Sequence, residues 1–251
     1  MSSHASSIRR KGASPKRARG LRDARDAMYR AHIIDTAERV FSEKGFESTK
    51  MQDVAAAAVI SLATLYSAFP SKAELYQAIV AARGDELLGR VALALRELDA
   101  EGTTPLGMML RGMTTHVRFF LEHPAFLKMN LLEGHVWYHR ASRPSREQED
   151  HWARGEGILK DAFALGEQAG LFVPEDPGAQ ARTMVALQQT RLANWVFMGM
   201  RESHDEVLAT IQAEFVRAFC RPAVACRLLT EDGSRLRPGA LTMTFQPAGG
   251  A

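Results

Sequence analysis

The sequence predicts an all-α protein: an N-terminal three-helix helix-turn-helix domain followed by a larger helical C-terminal domain. Three observations lead there. Apolar residues recur at three- and four-residue spacing through residues 24–222, and no stretch of that span alternates apolar and polar residues as a half-buried strand does. Helix-start residues and prolines punctuate the same span. Two short helical segments are separated only by Ala58, Val59 and Ile60, the spacing of a helix-turn-helix.

With 251 residues, 46% hydrophobic and 24% charged, the chain has ordinary globular composition and the length to bury a core. No run reaches the roughly eighteen apolar residues of a membrane span. The first 27 residues are rich in Ser, Arg and Lys and lack the apolar stretch of a secretion signal. Cys220 and Cys226 are too few for a disulfide framework, so a reducing cytoplasm is the expected compartment. A redox pair and two ordinary thiols are both open readings of them. Charge is unevenly placed. Residues 1–27 hold eight basic and two acidic residues, net +6, whereas the rest holds 24 basic and 27 acidic, net −3. The basic segment is either an arm for a polyanion or a solvated tail.

Residues 1–23 lack periodic apolar positions and are expected to form a disordered basic arm. From Ala24 the pattern turns helical, with Ile33, Ile34, Ala37, Val40 and Phe41 on one face and Gly45 at the stop position. Thr49 is the expected N-cap of a helix from Lys50 to Ala57, and Ser61 that of a helix reaching Ser67. Ser71, with Glu74 three residues on, opens a longer helix through a capping box. This first domain spans 24–83. Helices at about 105–122, 124–139, 147–169, 177–200 and 203–221, with Pro105, Pro124, Pro174 and Pro177 near their N-termini, make a second domain over 84–222. Residues 223–251 are expected as a flexible tail, in which Leu241–Phe245 is the one candidate strand.

In the central motif, Val54, Ala55, Ala58, Ile60 and Leu65 are apolar or small where two crossing helices must pack. Leu62, Ala63, Thr64 and Ser67 are then free to face outward. The second helix of such a motif enters the DNA major groove. Two ordinary amphipathic helices share this spacing, so spacing alone does not decide.

The residues themselves carry more. Ile33-Ile34-Asp35-Thr36-Ala37-Glu38-Arg39-Val40-Phe41, then Glu43-Lys44-Gly45-Phe46, Asp53-Val54-Ala55, Ser61, Thr64-Leu65-Tyr66, Phe69-Pro70-Ser71-Lys72 and Leu75 follow one another in the order and spacing of a known domain. The stretch resembles the N-terminal domain of TetR-family (TetR/AcrR-like) transcriptional regulators. Residues 84–222 have the length and helical pattern of that family's effector-binding and dimerisation domain.

The resemblance implies a cytoplasmic, nucleoid-associated DNA-binding regulator. It would most often be a ligand-responsive repressor that holds a palindromic operator as a homodimer, with helix 61–67 in the major groove. An activator or an effector-independent DNA-binding protein has the same fold. Thr49, Lys50, Tyr66 and Lys72 match positions that touch the DNA backbone. Leu62, Ala63 and Thr64 match base-facing positions, with Ser61 and Ser67 beside them; Phe69 is expected in the core. None of the base-facing residues is Arg, Asn or Gln, so apolar contacts to thymine methyls and DNA shape would do more of the reading. One departure stands out. Val59 occupies the turn position where the family has glycine.

Residues 28–83 carry six basic and six acidic residues, net zero, so the arm would have to supply the charge that DNA binding needs. In the second domain Met108, Met109, Met113, His116, Phe119, Phe120, Met129, Trp137 and Tyr138 suit an adaptable pocket for an apolar or aromatic effector, or plain core. Leu187, Thr190, Arg191, Asn194, Trp195, Phe197 and Met198, with Ile211, Phe215, Val216 and Phe219, suit either a four-helix dimer interface or core. His135 and His139 lie one helical turn apart without a third ligand, so no metal is expected, and no cofactor either. The sequence has no Gly-rich phosphate loop, Gly-x-Ser-x-Gly or His-Glu-x-x-His, and an enzyme is not expected.

Overall fold

The structure, a computed structural model, describes residues 15–100, 104–132, 146–240 and 243. Those residues contain ten helices: α1 (Pro15–Ser48), α2 (Met51–Ala57), α3 (Leu62–Ala68), α4 (Lys72–Ala100), α5 (Pro105–Glu122), α6 (Pro124–Leu132), α7 (Arg146–Gln168), α8 (Pro177–Phe197), α9 (His204–Phe219) and α10 (Pro222–Leu228).

The first helix begins earlier than the apolar pattern suggests. Residues 15–23, expected to be disordered, are already helical. Pro15 suits a first helical turn, and the Arg, Leu and Ala that follow are good helix formers. Lack of apolar periodicity means that a helix has no apolar stripe, not that it is absent. Residues 1–14 of the expected arm lie outside the described residues. Further along, Ile33, Ala37 and Phe41 are wholly buried, four residues apart on one face. Gly45 then takes φ 76° and ψ 166°, a region essentially reserved for glycine, and the helix kinks there.

Two of the three expected caps are in place, and the second domain adds one that the sequence reading did not single out. Ser61 accepts from the Thr64 N–H at 3.0 Å, Ser71 from the Glu74 N–H at 3.1 Å, and in the second domain Thr104 from the Gly107 N–H at 3.1 Å, beside Pro105. Thr49 is a correction. The N-cap of α2 is Lys50, whose N–H donates to Asp53 at 3.1 Å, while the buried Thr49 hydroxyl turns back to donate to the Gly45 carbonyl at 2.7 Å. The Lys50 bond and the Lys44 salt bridge at 3.1 Å hold the Asp53 carboxyl below its usual range.

In the second half, α5 packs against α4, α6, α7, α8 and α9 and forms the hub of the core. Leu106, Met109, Leu110, Met113, Val117 and Phe120 line its buried face. A second cluster joins Phe163, Phe172, Phe215 and Phe219, with ring centroids 5.1–6.2 Å apart. Each buried ring contributes about 1.5–3 kcal/mol over an exposed one. A single antiparallel bridge, Phe172 to Cys220, ties the α7–α8 connection to the end of α9. Burial pushes the Cys220 thiol up to about 12, so it stays protonated at neutral pH, while Cys226 is exposed.

The C-terminal tail is also a correction. Residues 222–228 form α10, and the chain then doubles back through a Leu229–Leu236 bridge. Leu228, Leu229 and Ala240 enter the core, and Arg217 donates to the Gly233 carbonyl. Glycine and proline marked a turn there, not flexibility. The candidate strand at 241–245 falls outside the described residues except for Met243.

The expected boundary at residue 83 lies inside α4, so the two halves share a helix. They also share a chain of ions. Arg83 on α4 donates to Asp35 at 2.8 Å and Glu38 at 2.7 Å on α1, and to Glu86 at 3.0 Å. Arg90 continues the chain from Glu86 at 2.7 Å to Glu122, the last residue of α5, at 2.6 Å. His123 closes it, 3.5 Å from Glu86. Burial holds the Glu38 carboxyl above its usual range even against the Arg83 guanidinium, while Glu86, set between Arg83, Arg90 and His123, is held low.

Candidate nucleic-acid interface

α2 and α3 meet at 106° across the turn Ala58–Ser61. Val54, Ala55 and Leu65 are buried where they cross. Small residues on α2 let the backbones approach, and Leu65 anchors α3 by its one wholly buried side chain. α1 braces both ends of this unit. His32 Nε2 stands 3.3 Å from the Ala58 carbonyl, at the turn. Arg30 donates to the Ala68 carbonyl at 2.6 Å, at the end of α3, and its guanidinium lies 4.2 Å over the Phe69 ring. Sequence reasoning missed both residues, because the contacts join positions that are 26 and 38 residues apart.

With Leu65 inward, α3 presents Ser61, Ala63, Tyr66 and Ser67 to solvent, and Lys50 is exposed at the start of α2. Four expected contact residues are partly or wholly engaged within the fold. Thr49 is 2% exposed, and its hydroxyl is engaged within the fold. Leu62 is half-buried against the core, and Thr64 is half-buried with its hydroxyl 2.7 Å from that of Ser61. Lys72 likewise has its charge engaged, donating to the Phe46 carbonyl at 2.6 Å and the Glu47 carbonyl at 3.2 Å, with its ammonium 4.4 Å over the Phe46 ring. It clasps the end of α1 to the start of α4. The outward row is therefore Ala63, Tyr66 and Ser67, beside Ser61 and Lys50.

The turn keeps its form despite valine. The Ile60 N–H bonds the Ala55 carbonyl at 3.0 Å and the Val59 N–H the Ala56 carbonyl at 3.2 Å, the paired bonds of a Schellman cap. That cap needs a left-handed residue, and Val59 takes φ 56°. Its side chain is 90% exposed, so packing does not offset the strain. A β-branched residue there costs about 1–2 kcal/mol, and glycine returns part of the gain through the unfolded chain. Val59→Gly is expected to stabilise the protein by about 1 kcal/mol, raising Tm by about 2–4 °C; a lowered Tm in thermal melts would overturn this account of the turn.

The profile of bacterial regulatory proteins of the tetR family matches residues 33–79, the segment that holds this geometry. Across most of the chain, the HTH-type transcriptional regulator Rv1255c of Mycobacterium tuberculosis is 31% identical over 196 residues, 77% of this chain and 86% of that protein. The chain belongs to the TetR family. Other members share less of it or only its shape. The HTH-type regulator YuxN of Bacillus subtilis is 31% identical over 106 residues, 42% of this chain and 35% of that protein, so the match spans about a third of that relative's length. The TetR-family regulator PfmR of Thermus thermophilus superposes with a TM-score of 0.60 at 27% identity, covering 74% of this chain and 97% of that one. These relatives are transcriptional regulators rather than enzymes, and α2 and α3 form the DNA-binding helix-turn-helix of a family member.

The expected pocket and interface residues of the TetR-type C-terminal domain divide. Met109, Met113, Phe120 and Met129 are buried in the core. Trp137, Tyr138, His135 and His139 lie outside the described residues. His116 is held by the buried Gln188 of α8, 2.9 Å from its Nδ1, and burial pushes the imidazole down to about 4. Of the expected interface, Trp195, Phe215 and Phe219 are corrections. They are 4%, 0% and 3% exposed and pack inside the subunit, with the Trp195 indole N–H donating to the Glu202 carbonyl at 3.0 Å. Apolar periodicity cannot tell an internal face from an intersubunit one. Leu187 is half-buried against the same core, and Arg191 pairs with Glu214 of α9. Met198 is exposed, as is its neighbour Phe197 at 87%.

Proposed function

We propose that this regulator is a cytoplasmic, ligand-responsive repressor that binds a palindromic operator as a homodimer, one α3 in each of two successive major grooves. The observation that carries the reading is the outward row Ala63, Tyr66 and Ser67 on a helix fixed at 106° to its partner and braced at both ends by α1. Lys50 and the Tyr66 hydroxyl suit phosphate, and the Ala63 methyl suits a thymine methyl.

A two-fold axis beside α8 fits its exposed stripe. Thr183, Ala186, Thr190, Asn194 and Phe197 recur at three- and four-residue spacing there, small residues leading to one large exposed ring. For the effector, the His116–Gln188 pair is a polar point within apolar surroundings between α5 and α8, which suits a mainly apolar molecule with one hydrogen-bonding group.

The test is salt-dependent binding of the purified protein to duplex DNA from upstream of its own gene against random duplex. Preference for the upstream DNA is the expected result. Lys50→Ala and Tyr66→Phe are each expected to weaken that binding about tenfold, as removal of one charged hydrogen bond does. Equal binding to both duplexes by the parent protein, or undiminished binding by either variant, overturns the reading of α3. Small molecules are then screened for release of the complex; if none changes affinity, the protein is effector-independent.

A further inference from the structure

α1 does not stop where the folded head begins. Residues 24–32 are exposed without interruption, two and a half helical turns with no buried residue, before Ile33 enters the core. A helix with no buried face is marginal by itself. This one is also highly charged. Residues 15–30 hold six basic residues (Lys16, Arg17, Arg19, Arg22, Arg25 and Arg30) and two acidic ones, net +4, while the head from 28 to 83 is neutral.

Its root is fixed. Arg30 is bonded to the last carbonyl of α3, and His32 reaches the turn that precedes α3. The helix therefore leaves the head beside the recognition helix. From residue 15 to residue 29 it spans about 21 Å at 1.5 Å per residue, enough to follow about three or four phosphates of one DNA strand.

We propose that the N-terminal half of α1 is a second DNA-binding element, a basic helix that docks on the phosphates flanking the base pairs read by α3. It supplies charge that the head lacks and carries no base specificity. The proposal rests on the reading of α3 as the DNA-facing helix, because that reading places DNA within reach of Arg30.

The experiment compares the full chain with a variant in which Lys16, Arg17, Arg19, Arg22 and Arg25 are all changed to glutamine, a residue that keeps helix propensity. Both are titrated with a 40-base-pair duplex of random sequence across a range of salt, and with the duplex upstream of its own gene. The slope of log affinity against log salt is expected to fall by about 3–4 per subunit, close to 0.9 for each phosphate no longer neutralised. Affinity at low salt should drop at least tenfold, with the ratio between upstream and random DNA unchanged. An unchanged slope overturns the proposal while leaving α3 intact. The reading of α3 fails separately, if either Lys50→Ala or Tyr66→Phe leaves the affinity for the upstream duplex undiminished. If the parent protein binds neither duplex, both fall.

Discussion

Replacing Arg83 with methionine is expected to destabilise the protein by about 3–5 kcal/mol, the usual result of leaving one charge of a buried pair behind. Glu38 is 4% exposed and Arg83 meets it at 2.7 Å, so the carboxylate would keep its desolvation and lose its partner. The destabilisation should not scale with the number of ion pairs broken. Asp35 and Glu86 are far more open to water, and their bonds to Arg83 are worth little by comparison. The double variant Glu38→Leu with Arg83→Met removes both charges and is expected to recover most of the stability. The sign of the pH dependence follows from the raised Glu38 pKa. The protonated carboxyl is the form the fold prefers, so its contribution is full below about 4.5 and is lost as pH rises. The deficit of Arg83→Met should therefore shrink on acidification. Urea titrations at two pH values measure it, and a single variant no weaker than the double one would show that the pair is not a buried ion pair.

Acid should weaken the parent protein through a different residue. The His116 imidazole, enclosed between α5 and α8, is pushed from 6.5 down to about 4. The unfolded chain takes up a proton near 6.5, whereas the folded one does so only near 4. Its contribution is thus whole above 6.5 and is lost as pH falls to about 4, and that interval is worth about 3 kcal/mol. His116→Gln, which keeps a donor for Gln188, is expected to flatten the stability profile over that window. A variant whose stability still falls by the same amount between pH 7 and 4 would place the acid sensitivity elsewhere.

How far the sequence carried depended on the range of the contacts involved. The positions of α2 and α3 followed from local signals: Ser61 as a cap, Gly45 at a left-handed stop, and the three residues between the helices. The resemblance set Thr49 and Lys72 at backbone-contact positions, and what it did not show is that the fold engages each group on a carbonyl nearby, Gly45 for one and Phe46 and Glu47 for the other. Arg30, His32 and Arg83 act across 26 to 48 residues, and nothing in their neighbours announces it. Phe215 and Phe219 have the right period for any packed helix, so periodicity could not say which side they faced. Residues 15–23 show the converse error, a helix overlooked because its sequence has no apolar stripe. Val59 was legible as a departure, and the structure adds that the turn absorbs it without changing its hydrogen bonds.

The folded C-terminal segment also sets an order of events during synthesis. The hub helix α5 is complete once Glu122 has been added, yet its buried face is covered by α8 and α9, and the core they build takes its last residues from Leu228, Leu229 and Ala240. At about 5–20 residues per second the ribosome needs roughly 6–24 s to travel from the end of α5 to Ala240. Throughout that interval the nascent chain carries the Phe119–Phe120–Phe126 aromatic group without its final cover. The small domain at the front has no such wait for its own core, since Phe41, Leu65, Phe69 and Ile79 are all in place early. Chaperone dependence, if this protein has any, belongs to the regulatory half and to those seconds.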